Sequence, residues 1–220
     1  MGIPAIHITL NGKKMKASYQ LSSLDIHTEV NRIPWAEICL IDGDAAKRKF
    51  TVSESGDFDP GTKVRITMSY VNKPGTQAPV FEGIVTGQAV EMNRSGQVLR
   101  IECKHQCHAM TRTRKSMVFT GKTDSKVLKI LGGNYAGKFK IDVSGVKGAE
   151  HTELVQYFSS DWDFLMSRCL ANGWLVVPKV ANLKVMANPG PSPASPRQCH
   201  GFQRERVVRH GACRRWEHPI

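Results

Sequence analysis

No stretch of this 220-residue chain approaches the ~20 consecutive apolar residues that a membrane-crossing helix needs, so stable membrane insertion is not expected. The first residues, Met1 to Ala5, hold no basic region followed by an apolar core, and no cleavable leader is read there. That fits a cytoplasmic protein, and equally one exported by a machine that requires no such signal. Cysteine is sparse: Cys39, Cys103, Cys107, Cys169, Cys199 and Cys213 are too few for the length to form a disulfide framework. Cys39 and Cys169 stand in apolar contexts, where a reduced thiol behaves as a small hydrophobe. A Gly-x-Ser-x-Gly elbow, an HExxH helix and a Cys-His-Asn constellation are all missing, so the chain offers no catalytic residues and reads as not an enzyme. No repeat of 20 to 50 residues is present.

What is present is an ordinary globular composition, 40% hydrophobic and 23% charged, on a chain long enough for one large or two small domains. The net charge of +12 invites a nucleic-acid reading. Its distribution argues against one. Residues 1–196 spread 25 basic and 17 acidic side chains over strands and turns, and the last 24 residues add six arginines and two glutamates. Only Arg112, Arg114 and Lys115 cluster in the body, without interleaved aromatics. Basic residues on a strand edge also discourage edge-to-edge aggregation, which is sufficient reason for them.

The body reads as mainly β. Ile6 to Leu10, a turn at Asn11-Gly12, and Lys14 to Lys16 carry the strongest short hairpin signal. Strands are predicted over 24–30, 35–41, 50–52, 63–70, 79–85, 88–93 and 97–104. Turns are predicted at Asp42-Gly43, Pro60-Gly61, Pro74-Gly75 and Ser95-Gly96. Short strands at such regular spacing point to an antiparallel barrel or sandwich. After residue 110 the pattern changes. Asp124 to Leu131 is an amphipathic helix before Gly132-Gly133, and residues 139–143 are a strand. The expectation is two small antiparallel β-barrel-like domains with two short helices, residues 1–105 and 106–187, and an irregular C-terminal tail over 188–220.

Three candidate sites have simpler readings. Cys103, His105, Cys107 and His108 are the one metal-like cluster. On a continuous strand the first three share a face, each about 7 Å from the next, but no second ligand pair stands at zinc spacing. No metal and no cofactor is expected. Gly121-Lys122-Thr123 echoes the end of a phosphate loop, yet Ser116 stands where its first glycine belongs, so it reads as a turn. Asp161 and Asp163, two apart on a helix, point away from each other and cannot share a substrate.

The clearest local signal is Val155 to Val177. Ser160 followed by Asp163 is a capping-box-like start, with Asp161 and Asp163 where the helix dipole favours negative charge. Trp162, Leu165, Met166, Cys169 and Leu170 mark an apolar face. Asn172-Gly173 is a left-handed stop before the strand that begins at Trp174. This stretch resembles a signature of the VgrG proteins, at the tip of the type VI secretion spike, and of related phage baseplate hubs. EVNRIPWAEICLIDGDA (29–45) resembles the early strand pair of the Rhs-associated branch. FEGIV (81–85), IECK (101–104) and GGNY (132–135) follow in that family's order, over about residues 3–185. The resemblance implies the hub portion of a contractile injection machine. Such a hub is a homotrimer docked on an Hcp-like tube among baseplate components, cytoplasmic before firing and delivered by the machine. No nucleic-acid partner is expected from the charge distribution, and the needle that the complete family carries would lie past the end of this chain. A hub portion without its needle is expected to trimerise weakly or aggregate, and not to support secretion by itself. A cargo- or effector-linked adaptor and a basic nucleic-acid-binding barrel are the alternatives.

The tail differs from both domains. The body's last lysine is Lys184, whereas residues 191–220 hold six arginines, Cys199, Cys213, Trp216 and three histidines. Abrupt enrichment in Arg, Pro, Cys, His and Trp is typical of a GC-rich gene translated out of frame. A frameshifted product is the expectation, against a genuine disordered tail.

Overall fold

The computed structural model describes residues 4–43, 49–70, 73–93 and 96–190. From residue 191 the expected tail lies outside the described residues, as does Ser95 of the expected Ser95-Gly96 turn. The described chain is mainly β, with helices where the sequence places them. It divides into two units: the chain up to His27 with Trp35–Lys104, and Thr28–Pro34 with the chain from His105 onward.

The first unit is one seven-stranded sheet. Its strands are β1 (Pro4–Leu10), β2 (Lys13–Lys14), β3 (Gln20–His27), β4 (Trp35–Ile41), β5 (Lys63–Tyr70), β6 (Lys73–Asn93) and β7 (Gly96–His105), in the order β2-β1-β5-β6-β7-β4-β3. Asn11 (φ 49°) and Gly12 (φ 83°) both adopt the positive φ that a tight hairpin turn demands. Alternate residues face the core: Ala36, Ile38 and Leu40 on β4, Val64 and Ile66 on β5, Leu99, Ile101 and Cys103 on β7. Phe58, Phe81 and Leu24 join them in one cluster.

Gly83, inside the FEGIV motif, packs closely against the Lys104 carbonyl. A Cβ there would lie 2.4 Å from the Lys104 carbonyl oxygen. Gly83→Ala is therefore expected to lower stability by about 1 to 3 kcal/mol, the usual range for overpacking, read as a reduced urea midpoint. An unchanged midpoint contradicts the close approach.

Three expectations for the first unit need correction. Residues 50–52 are not a strand. The Asp42 carboxylate accepts the backbone N–H groups of Val52 (2.9 Å), Ser53 (2.8 Å) and Gly43 (2.8 Å), leading the chain into a 3-10 turn at Ser53–Ser55. Donors captured this way are lost to a ladder. Pro74-Gly75 is not a turn either. Tyr70 already pairs with Lys73, and Pro74 sits near the start of a 21-residue β6, where a register shift against β5 accommodates its missing N–H. Strand β3 stops at His27, and Asn31 turns with φ 61°.

The second unit contains β8 (Arg114–Thr123), α1 (Asp124–Gly133), β9 (Lys140–Asp142), β10 (Glu150–Ser160), α2 (Asp161–Ala171), β11 (Trp174–Pro178) and β12 (Asn182–Ala187). Strands β8 and β10 form a two-stranded antiparallel ribbon, and β11-β12-β9 a second sheet. The β12–β9 pair is parallel, against the all-antiparallel expectation. Three elements, β10, α2 and β11, separate the two strands, ample length for the crossover that parallel pairing requires.

The α2 signature behaves largely as read. Ser160 Oγ accepts from the Asp163 backbone N–H (3.1 Å) and donates to its carboxylate (2.7 Å), while Gly173 takes φ 64°. Trp162, Leu165 and Cys169 are buried, but the stripe is rotated toward Phe164, which is buried as well, and away from Leu170, which is exposed. Val127, Leu128 and Leu131 of α1 and Trp174, Val176, Leu183 and Val185 complete this core, against which Ile33 packs. Asn31 belongs here too: its N–H donates to the Val176 carbonyl and its Oδ1 accepts the Val176 N–H, each at 2.8 Å.

A candidate docking surface above two buried carboxylates

Two aspartates of the second unit are fully buried. Asp161 opens α2 and accepts hydrogen bonds from Lys115 Nζ (2.8 Å), Tyr135 Oη (2.7 Å) and Gln156 Nε2 (3.0 Å). Asp124 opens α1 and accepts from Arg168 Nε (2.7 Å) and Asn172 Nδ2 (3.0 Å), with His151 Nε2 at 3.1 Å. Gly148 makes room for it: with φ 72°, a Cβ there would lie 2.7 Å from the Asp124 Cβ. Each carboxylate thus joins a helix N-terminus to a strand of the ribbon.

Burial pushes both carboxyls up, but the donors together outweigh it and hold them below the ordinary aspartate value of 3.8. The sign follows from linkage. Stabilisation from a depressed carboxyl is complete above the unfolded-state value and is lost as pH falls through the folded-state value. The melting temperature should therefore fall steeply below about pH 4, and less steeply in Asp124→Asn. Equal acid sensitivity in the two proteins would contradict the assignment. The phenol of Tyr135, buried beside Asp161, is pushed up.

Above this network the ribbon bulges. Gln156 pairs with Met117 and Ser159 with Lys115, so Tyr157 and Phe158 together oppose Ser116. Phe158 adopts φ 40°, strained for a bulky residue, and its N–H donates to Ser116 Oγ (3.1 Å). Alternation would have buried one of the two aromatics; the bulge turns both outward. Tyr157 is 82% exposed, Phe158 63%, Val118 61% and Val155 53%, and the last two pair directly. The Arg114 guanidinium lies 5.6 Å from the Phe158 ring centroid. Gln156 Oε1, buried beneath the bulge, has no hydrogen-bond partner among the described residues. Tyrosine and arginine around an apolar centre are the composition of an interface hot spot.

The candidates read from sequence do not converge. Strand β7 ends at His105, so Cys107 and His108 lie on a 3-10 turn (Gln106–Thr111) and not on a continuation of the strand. His105 Nδ1 caps that turn by accepting the Cys107 N–H at 3.1 Å. Cys103 packs in the core of the first unit and Cys107 in that of the second, and burial pushes both thiols up to about 12. Among the described residues no three potential ligands gather around one point. Gly121-Lys122-Thr123 is not a turn but the end of β8, where Lys122 pairs with His151 and Thr123 with Glu150. Asp161 is buried and Asp163 exposed. From sequence Asp161 reads as a helix-start acid, Lys115 as part of a solvated basic cluster, Asp124 as the start of a helix and Tyr135 as part of the GGNY resemblance; that they form two buried clusters is not legible there.

The profile of the Alg8 N-terminal domain matches residues 2–196. The chain belongs to that family. A search of curated proteins gives no match. The fold is shared with tail and secretion-spike proteins. The 43 kDa tail protein of prophage MuSo2 from Shewanella oneidensis superposes with a TM-score of 0.61 at 11% identity, over 84% of this chain and 53% of that one. The E. coli c3393 protein is a component of the type VI secretion system with structural similarity to the T4 bacteriophage tail proteins gp27 and gp5. It gives a TM-score of 0.58 at 10% identity, over 83% of this chain and 49% of that one. A chain of the Francisella PdpA–VgrG complex gives 0.57 at 10% identity, over 84% and 28%. This member of the Alg8 N-terminal domain family therefore has a VgrG-like hub fold and spans about half the length of the first two proteins. Among its described residues no helix is long and apolar enough to cross a membrane.

Proposed function

We propose that the chain is a structural hub component of a phage-tail-like contractile injection machine, and not an enzyme. The observation that carries this reading is the hub fold of the chain, joined to an exposed surface that presents aromatics and arginine. In this reading the chain assembles as a homotrimer, seats on an Hcp-like tube and leaves the cell with the machine. An adaptor role toward a cargo protein is the second reading, favoured by the protein complex in which one structural neighbour was solved. A nucleic-acid role is disfavoured, because Lys115 of the basic cluster is committed to Asp161 and Arg114 lies over Phe158.

The test is co-sedimentation of the chain with the tube protein of the same genome, alongside sedimentation velocity of the chain alone. The expected result is a weakly associating trimer that pellets with assembled tubes. A chain that remains monomeric to about 100 µM and stays in the supernatant overturns the proposal.

A further inference from the structure

The ribbon of β8 and β10 has two free edges among the described residues and an outer face that includes Val118, Val155 and Tyr157. Two strands alone are marginal, and exposed edges of this length invite pairing. The charges along the ribbon are not uniform. Arg112 and Arg114 stand at the end where β8 begins. Glu150 and Glu153 stand at the other, near Lys122, and form no ion pair among the described residues. A uniformly basic face would call for an acidic partner. A ribbon with a basic end and an acidic end complements a copy of itself set head to tail, and such contacts close into a ring where the rotation between copies permits.

We infer that the β8/β10 ribbon is where neighbouring copies of this chain meet, the Arg112–Arg114 end of one against the Glu150–Glu153 end of the next, with Tyr157 and Phe158 as anchors. The inference rests on the homotrimer proposed above and names its contact. The bulge then has a purpose: it places both aromatics outward, and the fold holds Phe158 in a backbone state that it would not adopt unaided.

Sedimentation velocity of the full chain tests this with four variants. Tyr157→Asp and Arg114→Glu should each weaken self-association about tenfold or more, while near-ultraviolet circular dichroism stays that of the parent. Glu153→Arg should do the same, and the double variant Arg114→Glu/Glu153→Arg should recover much of the loss, since the swap restores opposite signs across the contact. A parent that trimerises, with all four variants trimerising equally well, overturns the ribbon contact and leaves the trimer standing. Two single-charge variants that weaken without recovery in the double variant overturn the head-to-tail pairing. A parent that is monomeric at every concentration overturns both the contact and the trimer. That outcome points to a different protein, or the chain's own residues 191–220, as the occupant of the face.

Discussion

Asp124→Ala is expected to destabilise the second unit by about 3 to 5 kcal/mol, the range for removing one partner of a buried ion pair. Three side chains converge on this carboxylate, and Arg168 approaches closest, at 2.7 Å. Without it, the mostly buried guanidinium of Arg168 keeps its charge with no carboxylate to meet it, and Asn172 loses one of its two acceptors. The loss would spread, because the same group ties the start of α1 to the end of α2 and to β10. Replacing the pair with apolar residues would cost far less than removing one member. Thermal unfolding followed at 222 nm gives the reading. A change below about 1 kcal/mol would mean that solvent reaches the cluster and that Asp124 is not its centre.

Trp162→Ala should be comparably severe. The indole is buried in the same core as Leu165, Cys169 and Leu128, and truncating a buried aromatic to alanine costs about 3 to 5 kcal/mol. For a domain of this size that is a large part of the total stability, so loss of soluble expression is the expected phenotype. Leu170→Ala is the internal comparison: about two turns further along α2, exposed, and expected to change stability by about 0.5 kcal/mol or less. If the two variants melt together with the parent, the buried stripe of α2 has been assigned to the wrong side.

Legibility in the sequence tracked how local each determinant was. Asn11-Gly12, the Ser160 cap, the Gly173 stop and the spans of β4 and β5 depend on neighbours a few residues away, and all were readable. The parallel β9–β12 pairing was not, since nothing near Lys140 marks a partner at Asn182. The bulge at Tyr157-Phe158 looks like plain strand in sequence, because its cause lies in Ser116 and in the helix that must begin at Asp161. Both buried aspartates had ordinary local roles as first-turn acids; that they also gather Lys115, Tyr135, Arg168 and His151 became visible only in three dimensions. The EVNRIP and FEGIV residues, legible only as resemblance, turned out to be structural: Asn31 brackets Val176, and Gly83 makes room for the Lys104 carbonyl.

The Asn31–Val176 pairing, 145 residues apart in sequence, also has a consequence for biosynthesis. At the usual pace of translation, about 5 to 20 residues per second, Asn31 leaves the ribosome roughly seven to thirty seconds before its partner. Strands β3 and β4 can zip together in that interval, but the loop between them cannot find its seat, and Ile33 waits in water. A nascent chain stalled in this window would carry a formed sheet with a loose apolar loop. It is at this stage, before Val176 emerges, that a ribosome-bound chaperone would have the most to shield.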